Sequence, residues 1–155
     1  MKDQTLDKGI RFTLAAVERA GNDLSKLPQP LQIVALVHAA QGIIDNGGLQ
    51  YFFEADFPNT PPYSVFSDAY RAVGAVQAAD ALEHAVSMFG FRSPHKHLTE
   101  RNHFLDAEQK RPGRFTQLSN SLCGDKQVWV LLGEFLAKHA SAFGSPTSRM
   151  HRTPR

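Results

Sequence analysis

The chain has 155 residues, of which 42% are hydrophobic, a formal net charge of +2 and one cysteine. A single domain of this length can bury a sizeable core without a metal, and Cys123 has no second cysteine with which to form a disulfide. No window approaches the roughly 18 apolar residues of a membrane span, and the first residues lack the apolar core of a signal peptide. We therefore expect a cytoplasmic protein without a membrane partner.

The first predicted helix runs from Thr5 to Ala20, with Thr5 as its N-cap. Its apolar residues have the spacing of one helical face: Leu6, Ile10, Leu14 and Val17. Gly21 and Asn22 end this helix, and the two prolines of the connector that follows prevent helix formation until the next element begins.

The segment 31–53 contains the element around which we expect the other helices to pack. No charged residue lies between Pro30 and Asp45, and a helix that is apolar nearly all round is typical of a buried central helix. Gly47 and Gly48 then break the helix, because glycine adopts left-handed conformations without steric cost. An aromatic helix is predicted to begin directly after this break.

A loop is expected at 56–62 because of its three prolines, and Ser64 or Ser67 is predicted to cap the helix that follows. Gly74 either lies inside one long helix or separates two helices. A shorter helix is predicted from Leu98 to Gln109.

Basic residues at 110–114 predict an exposed turn, and the last helix is expected to have Asp125 at its cap position. No strand pattern and no internal repeat is present. The sequence therefore predicts an all-α fold, a single compact bundle of about six or seven helices over residues 1–143. Residues 144–155 are expected to form a disordered basic tail.

Charge is distributed unevenly along the chain. The segment from Pro28 to Phe91 has six acidic residues against Arg71 alone, whereas the segment from Arg92 onward has a net charge of +6. Either folding mixes these segments in space, or they form an acidic face opposed to a basic rim.

One motif joins the glycine break to the aromatic run: Asn46, Gly47, Gly48, Leu49, Tyr51, Phe52 and Phe53. It resembles the signature of the DNA-mimic-protein nineteen family of small bacterial helical domains, in which an aliphatic helix leads into Asn-Gly-Gly and then into aromatic residues. The similarity extends over residues 28–139. Tyr51 stands where the family usually has glutamine.

The resemblance implies a helical domain that acts by binding another protein, with a homodimer as one arrangement. In the family, this action rests on an acidic surface that imitates DNA and occupies the DNA-binding site of a transcription factor. Duplex DNA carries about one charge per 1.7 Å of its axis, and six acidic residues do not reach that density. We therefore expect this chain to share the fold of the family but not its DNA mimicry.

Metal and catalytic sites are less well supported. Histidines and carboxylates that could share a metal ion lie in one segment: His95, His97, Glu100, His103 and Asp106. They match no standard zinc spacing, so we predict no metal and no cofactor. Cys123 is expected to be a buried small residue, and no nucleophile elbow or phosphate loop occurs. The sequence thus predicts a protein that is not an enzyme, with a metal-dependent enzyme as the weakest alternative.

The leading hypothesis is a protein-interaction module that binds and modulates a DNA-binding factor or a toxin. Its acidic face is predicted to comprise Asp45, Glu54, Asp56 and Asp68. The alternative is direct nucleic-acid binding by a basic patch, namely Lys110, Arg111, Arg114 and Lys126. A homodimer interface is predicted to include Phe53, Phe57 and Tyr63.

Overall fold

The computed structural model describes residues 4–144, which form seven α-helices joined by loops and short 3₁₀ turns. The helices are α1 (Gln4–Arg19), α2 (Gln29–Glu54), α3 (Ser64–Ala72), α4 (Val76–Ser87), α5 (Leu98–Lys110), α6 (Arg114–Leu122) and α7 (Lys126–Lys138). No strand occurs within this part of the chain, so the predicted all-α bundle is confirmed. The tail predicted at 144–155 lies, apart from its first residue, outside the described residues.

Helix α2 is the centre of the bundle, as predicted, and it contacts α1, α3, α5, α6 and α7. Its first half is fully buried along one face: Val34, Val37, Ala40 and Ile44. Burial of each large aliphatic side chain contributes about 1.5–3 kcal/mol, so this face supplies much of the stability of the core. None of the described helices is long and apolar enough to cross a membrane.

The second half of α2 enters a cluster of aromatic side chains. The Phe53 ring lies 4.9 Å from the rings of Tyr63 and Phe89, and the Phe52 ring lies 5.2 Å from that of Phe66, measured between centroids. These are favourable edge-to-face separations that join α2 to α3 and to a residue that follows the C-terminal end of α4. Phe53 and Tyr63 are buried within the bundle, so their prediction as part of a dimer interface is wrong, whereas Phe57 is partly exposed and its place in such an interface stays a prediction.

Helix α1 packs on α2 and α7 with small residues fully buried, namely Gly9, Thr13 and Ala16, while Leu6 and Ile10 pack against the core partly buried. A Cβ atom on Gly9 would overlap the side chain of Leu136, so the absence of a side chain allows α7 to come close. Leu14, which was predicted to face the core, is 44% exposed. Thr5 lies within the helix, so its prediction as the N-cap is also wrong.

The remaining helix boundaries are partly as predicted. Gly74 has a φ of +89° and separates α3 from α4, and Asp125 caps α7 by accepting a hydrogen bond from the backbone N–H of Gln127 at 3.0 Å. Neither Ser64 nor Ser67 caps α3, because its N-cap position is occupied by Tyr63. Helix α6 was not predicted as an element, although its buried residues recur at helical spacing: Phe115, Leu118 and Leu122.

Candidate functional site

The Asn-Gly-Gly motif breaks α2 at a kink, as its two glycines predict, and the aromatic segment continues as helix directly after it. Gly48 has φ +70° and ψ −169°, a conformation that is essentially restricted to glycine. A Cβ atom at Gly48 would also overlap the Oγ atom of Ser119 on α6. That same Oγ accepts a hydrogen bond from the backbone N–H of Leu49 at 2.8 Å. The kink is therefore the place where α6 docks onto the central helix.

Tyr51 lies one helical turn after Gly47, and its ring covers that glycine so closely that a Cβ atom there would overlap the ring. The side chain nevertheless remains 53% exposed. Asn46, at the start of the motif, is also exposed. The motif thus presents a fixed aromatic ring on the surface, while Phe52 and Phe53 from the same motif fill the core.

Asp45 is partly exposed, and its carboxylate is hydrogen-bonded within the fold. Its carboxylate accepts hydrogen bonds from Gln41 Nε2 and the backbone N–H of Gly124, both at 2.8 Å, and from Trp129 Nε1 at 2.9 Å. These bonds join α2 to the α6–α7 loop and to α7. The structural role of Asp45 is therefore to connect helices, and its place on an interaction surface stays a prediction.

The bonds of Asp45 continue into a buried network that sequence reasoning missed. Gln41 is fully buried, and its Nε2 also donates to the backbone carbonyl of Leu122 at 2.8 Å. The hydroxyl of Tyr70 donates to Gln41 Oε1 at 2.8 Å. Burial, with a further contribution from the charge of Asp45, raises the pKa of Tyr70, so its hydroxyl remains a donor.

We expect Asp45→Asn to destabilise the protein by about 1–3 kcal/mol. An asparagine amide offers one acceptor oxygen, and its NH₂ group would face a donor where the carboxylate had accepted. Trp129 is the only tryptophan, so urea unfolding followed by its fluorescence measures the effect directly. Asp106→Asn, at an exposed position on α5, is the control and should leave stability unchanged.

Arg101 is a second residue whose role could not be read from the sequence. Its side chain is 1% exposed, and it donates to the backbone carbonyls of Phe53 at 2.7 Å, Pro94 at 2.9 Å and His95 at 3.1 Å. Its ion pair with Asp56 is longer, at 3.4 Å. Arg101 thus binds carbonyl groups at the end of α2 and the 92–97 loop, and Asp56 is its counter-ion.

The other predicted acidic residues are exposed. Glu54 accepts a hydrogen bond from Gln50, and Asp68 on α3 makes no hydrogen bond or ion pair with the described residues. On α3 and α4, Arg71 bonds to both Asp80 at 2.7 Å and Glu83 at 2.8 Å. The exposed carboxylates therefore lie on three consecutive helices, α2, α3 and α4. No contact joins Glu54 directly to Asp68.

The predicted basic patch is divided by the fold. Lys110, Arg111 and Arg114 are exposed around the turn between α5 and α6, whereas Lys126 begins α7 at the opposite end of α6. A helix of this length spans about 13 Å. The turn itself is fixed by Glu108, whose Oε2 accepts from the backbone N–H of Gly113.

A cavity of about 260 Å³ separates the kink from the α5–α6 turn. Gly47 and Gln50 line it on the α2 side, and Gln109 and Pro112 line it on the other side. Leu105 and Phe115 also line this space, which we call the kink cavity.

The histidines and carboxylates that were considered for metal binding do not come together in residues 4–144. Among residues 4–144, no group of three histidine, cysteine or carboxylate side chains is placed to hold a metal ion. Cys123 is exposed, contrary to expectation, and its Sγ donates to the Asp45 carbonyl at 3.6 Å. His38 on α2 is half-buried against Trp129, and burial lowers its pKa.

Comparison with known proteins gives one match. A family model described as DMP19-like protein matches residues 25–139, which includes α2 to α7 and the whole kink. Neither a curated protein nor a solved structure matches the chain.

Proposed function

The chain belongs to the DMP19-like protein family, and on that premise we propose that it is a protein-interaction module that binds and modulates another protein in the bacterial cytoplasm. It acts by binding and not by catalysis. The target is a protein with a basic binding surface, either a DNA-binding factor or a toxin.

The exposure of the acidic residues after the kink carries this proposal. Five of them keep solvent-accessible carboxylates on α2, α3, α4 and the connecting loop: Glu54, Asp56, Asp68, Asp80 and Glu83. Arg71 is the only base in the segment from Pro28 to Phe91. Such a surface attracts a basic partner and accelerates its association.

The arrangement favours recognition through a few ion pairs over imitation of a DNA duplex. Arg71 already binds two of the carboxylates, and Asp56 is paired with Arg101. Glu54 and Asp68 are the acidic residues that remain most available to a partner. The family resemblance also supports a homodimer, whose interface would lie outside the aromatic cluster.

We expect the double variant Glu54→Lys, Asp68→Lys to bind the partner at least tenfold more weakly, because charge reversal replaces attraction with repulsion. Affinity capture from nuclease-treated host lysate identifies the partner, and titration calorimetry measures the affinity. Asp56 is left unchanged because its loss would disturb Arg101.

The matched control is Asp106→Lys, a charge reversal at an exposed position on α5. It should leave the affinity within about twofold of the original value, since the residue lies outside the proposed face. Equal affinity for the double variant and the original protein would refute this placement of the binding surface.

A further inference from the structure

A second cavity, of about 190 Å³, lies between α1, the first half of α2 and the loop that joins α2 to α3. We call it the α1–α2 cavity. Leu14 lines it from α1 and Phe57 from the loop, and Ala35 and Ala39, one helical turn apart on α2, have short side chains that leave the space open. Leu14 has the spacing of the inner face of α1 but is 44% exposed, because it borders this unfilled space.

The loop that forms one wall of the α1–α2 cavity has a strained backbone. Pro58 and Pro61 line the cavity. Asn59 and Thr60, which lie between them, have φ values of +68° and +45°. Asparagine tolerates a positive φ, but a β-branched threonine rarely adopts one. Such strain is found at ligand-binding segments that the surrounding structure holds in place, so the loop is a wall of fixed shape.

One imidazole lines the cavity without a hydrogen-bond partner. His38 on α2 is half-buried and packs edge-to-face on Trp129, with 6.0 Å between the ring centroids. Its side chain makes no hydrogen bond within residues 4–144. Burial lowers the pKa of His38, so the ring is neutral at neutral pH. A neutral imidazole has one N–H donor and one acceptor nitrogen, which leaves it able to bond to a ligand.

The remaining walls decide the charge of such a ligand. Among residues 4–144, no charged side chain lines the cavity, and the other polar residue in its wall, Asn22, is exposed. Transfer of a carboxylate or an ammonium group into an apolar space is unfavourable without a counter-ion. A neutral hydroxyl group suits the site better, because it both donates and accepts and therefore matches either tautomer of His38.

The size and the neighbours of the cavity indicate an aromatic ligand. A cavity of about 150 Å³ with apolar walls accommodates benzene. The α1–α2 cavity, at about 190 Å³, has room for one such ring with a small substituent. Phe57 and Phe66 both line it, and their ring centroids are 4.7 Å apart. A third ring would extend this pair with further aromatic contacts of a favourable kind.

We propose that the α1–α2 cavity binds a small neutral aromatic molecule that carries a hydroxyl group, with the ring against Phe57 and Phe66 and the hydroxyl on His38. This inference does not rest on the proposed protein interaction, because no acidic side chain of the described residues lines the cavity.

Titration calorimetry with phenol and with toluene tests the proposal, because the two molecules differ chiefly in the hydroxyl group. We expect phenol to bind with a Kd below about 1 mM. His38→Leu should weaken phenol about fivefold relative to toluene, which corresponds to one neutral hydrogen bond. His38→Gln keeps a donor and an acceptor and should restore the ratio of the two affinities to within about twofold.

Filling the cavity tests its location. Ala39→Leu places a larger side chain in the space and should weaken both molecules at least tenfold, whereas Ala107→Leu, at an exposed position on α5, is the matched control and should change neither affinity. Leu14→Phe enlarges another wall from an exposed position and should also weaken both molecules. Circular dichroism melting confirms that each variant is folded.

Four outcomes would overturn the proposal. They are no binding of phenol at millimolar concentration, a ratio of phenol to toluene affinity that His38→Leu does not alter, and binding that neither Ala39→Leu nor Leu14→Phe weakens. The fourth is an affinity for phenol that falls as the protein concentration rises, which would show that a second copy of the chain covers the cavity. The double variant Glu54→Lys, Asp68→Lys should bind phenol unchanged, so the two proposals fail independently.

Discussion

Replacement of Arg101 by methionine is expected to destabilise the protein by about 3–5 kcal/mol, the largest loss that we predict for a single side chain. Methionine fills a similar volume but removes the donor to the carbonyls of Phe53 and His95 and one of the two donors to the carbonyl of Pro94. Urea unfolding and thermal melting measure the loss, and the melting temperature should fall by about 10 °C.

Arg71→Met is the matched control because it makes the same chemical change at an exposed position. Arg71 also bonds to two acidic residues, yet all three side chains are in contact with water. Exposed ion pairs contribute little to stability, so the melting temperature should scarcely change. Similar losses in the two variants would show that the buried hydrogen bonds of Arg101 are not what holds the end of α2.

Gly48→Ala is expected to cost about 2–4 kcal/mol through two effects that act together. The backbone conformation of Gly48 is strained for any residue with a side chain, and the new methyl group would overlap Ser119 on α6. Either the Ser119 side chain must rotate and lose its hydrogen bond from the backbone N–H of Leu49, or α6 must move away from the kink. Chemical denaturation with Trp129 fluorescence as the probe measures the combined cost.

Gly90→Ala separates the two effects. Gly90 also has a positive φ, of +76°, but no atom lies within 4 Å of the position that its Cβ would occupy. Gly90→Ala should lower the free energy of unfolding by about 1 kcal/mol, which reflects backbone strain alone. If Gly48→Ala costs no more than Gly90→Ala, the close approach of α6 has no energetic importance.

The parts of the fold that could be predicted depend on patterns within one element. An uncharged segment followed by two glycines is a pattern within one stretch of sequence, so the central helix and its break at Gly47 and Gly48 could be predicted. The inner face of α1 was foreseen only at Leu6 and Ile10, because its fully buried positions are small residues such as Gly9 and Ala16, which carry no hydrophobic signal. Leu14 was predicted to face the core because of its size and spacing, and that prediction was wrong.

The site could be predicted less well, because its decisive contacts are between distant residues. Asp45 was read as a surface acid, and nothing near it in the chain announces a bond to Trp129, 84 residues away. Arg101 reaches Phe53 across 48 residues. The sequence identifies which side chains are charged, but only the packing decides whether such a side chain forms hydrogen bonds in the interior or stays accessible to a partner at the surface.

The position of α2 in the chain has a consequence for biosynthesis. The helices α3 and α4 follow α2 closely in the chain. Helix α6, which covers the kink at Leu49, is the last but one of the described helices to be translated. At about 5–20 residues per second, a ribosome needs on the order of 3–14 seconds to pass from Glu54 to Leu122. During that interval the side of α2 that receives α6 is uncovered on the nascent chain, and a chaperone can reach it.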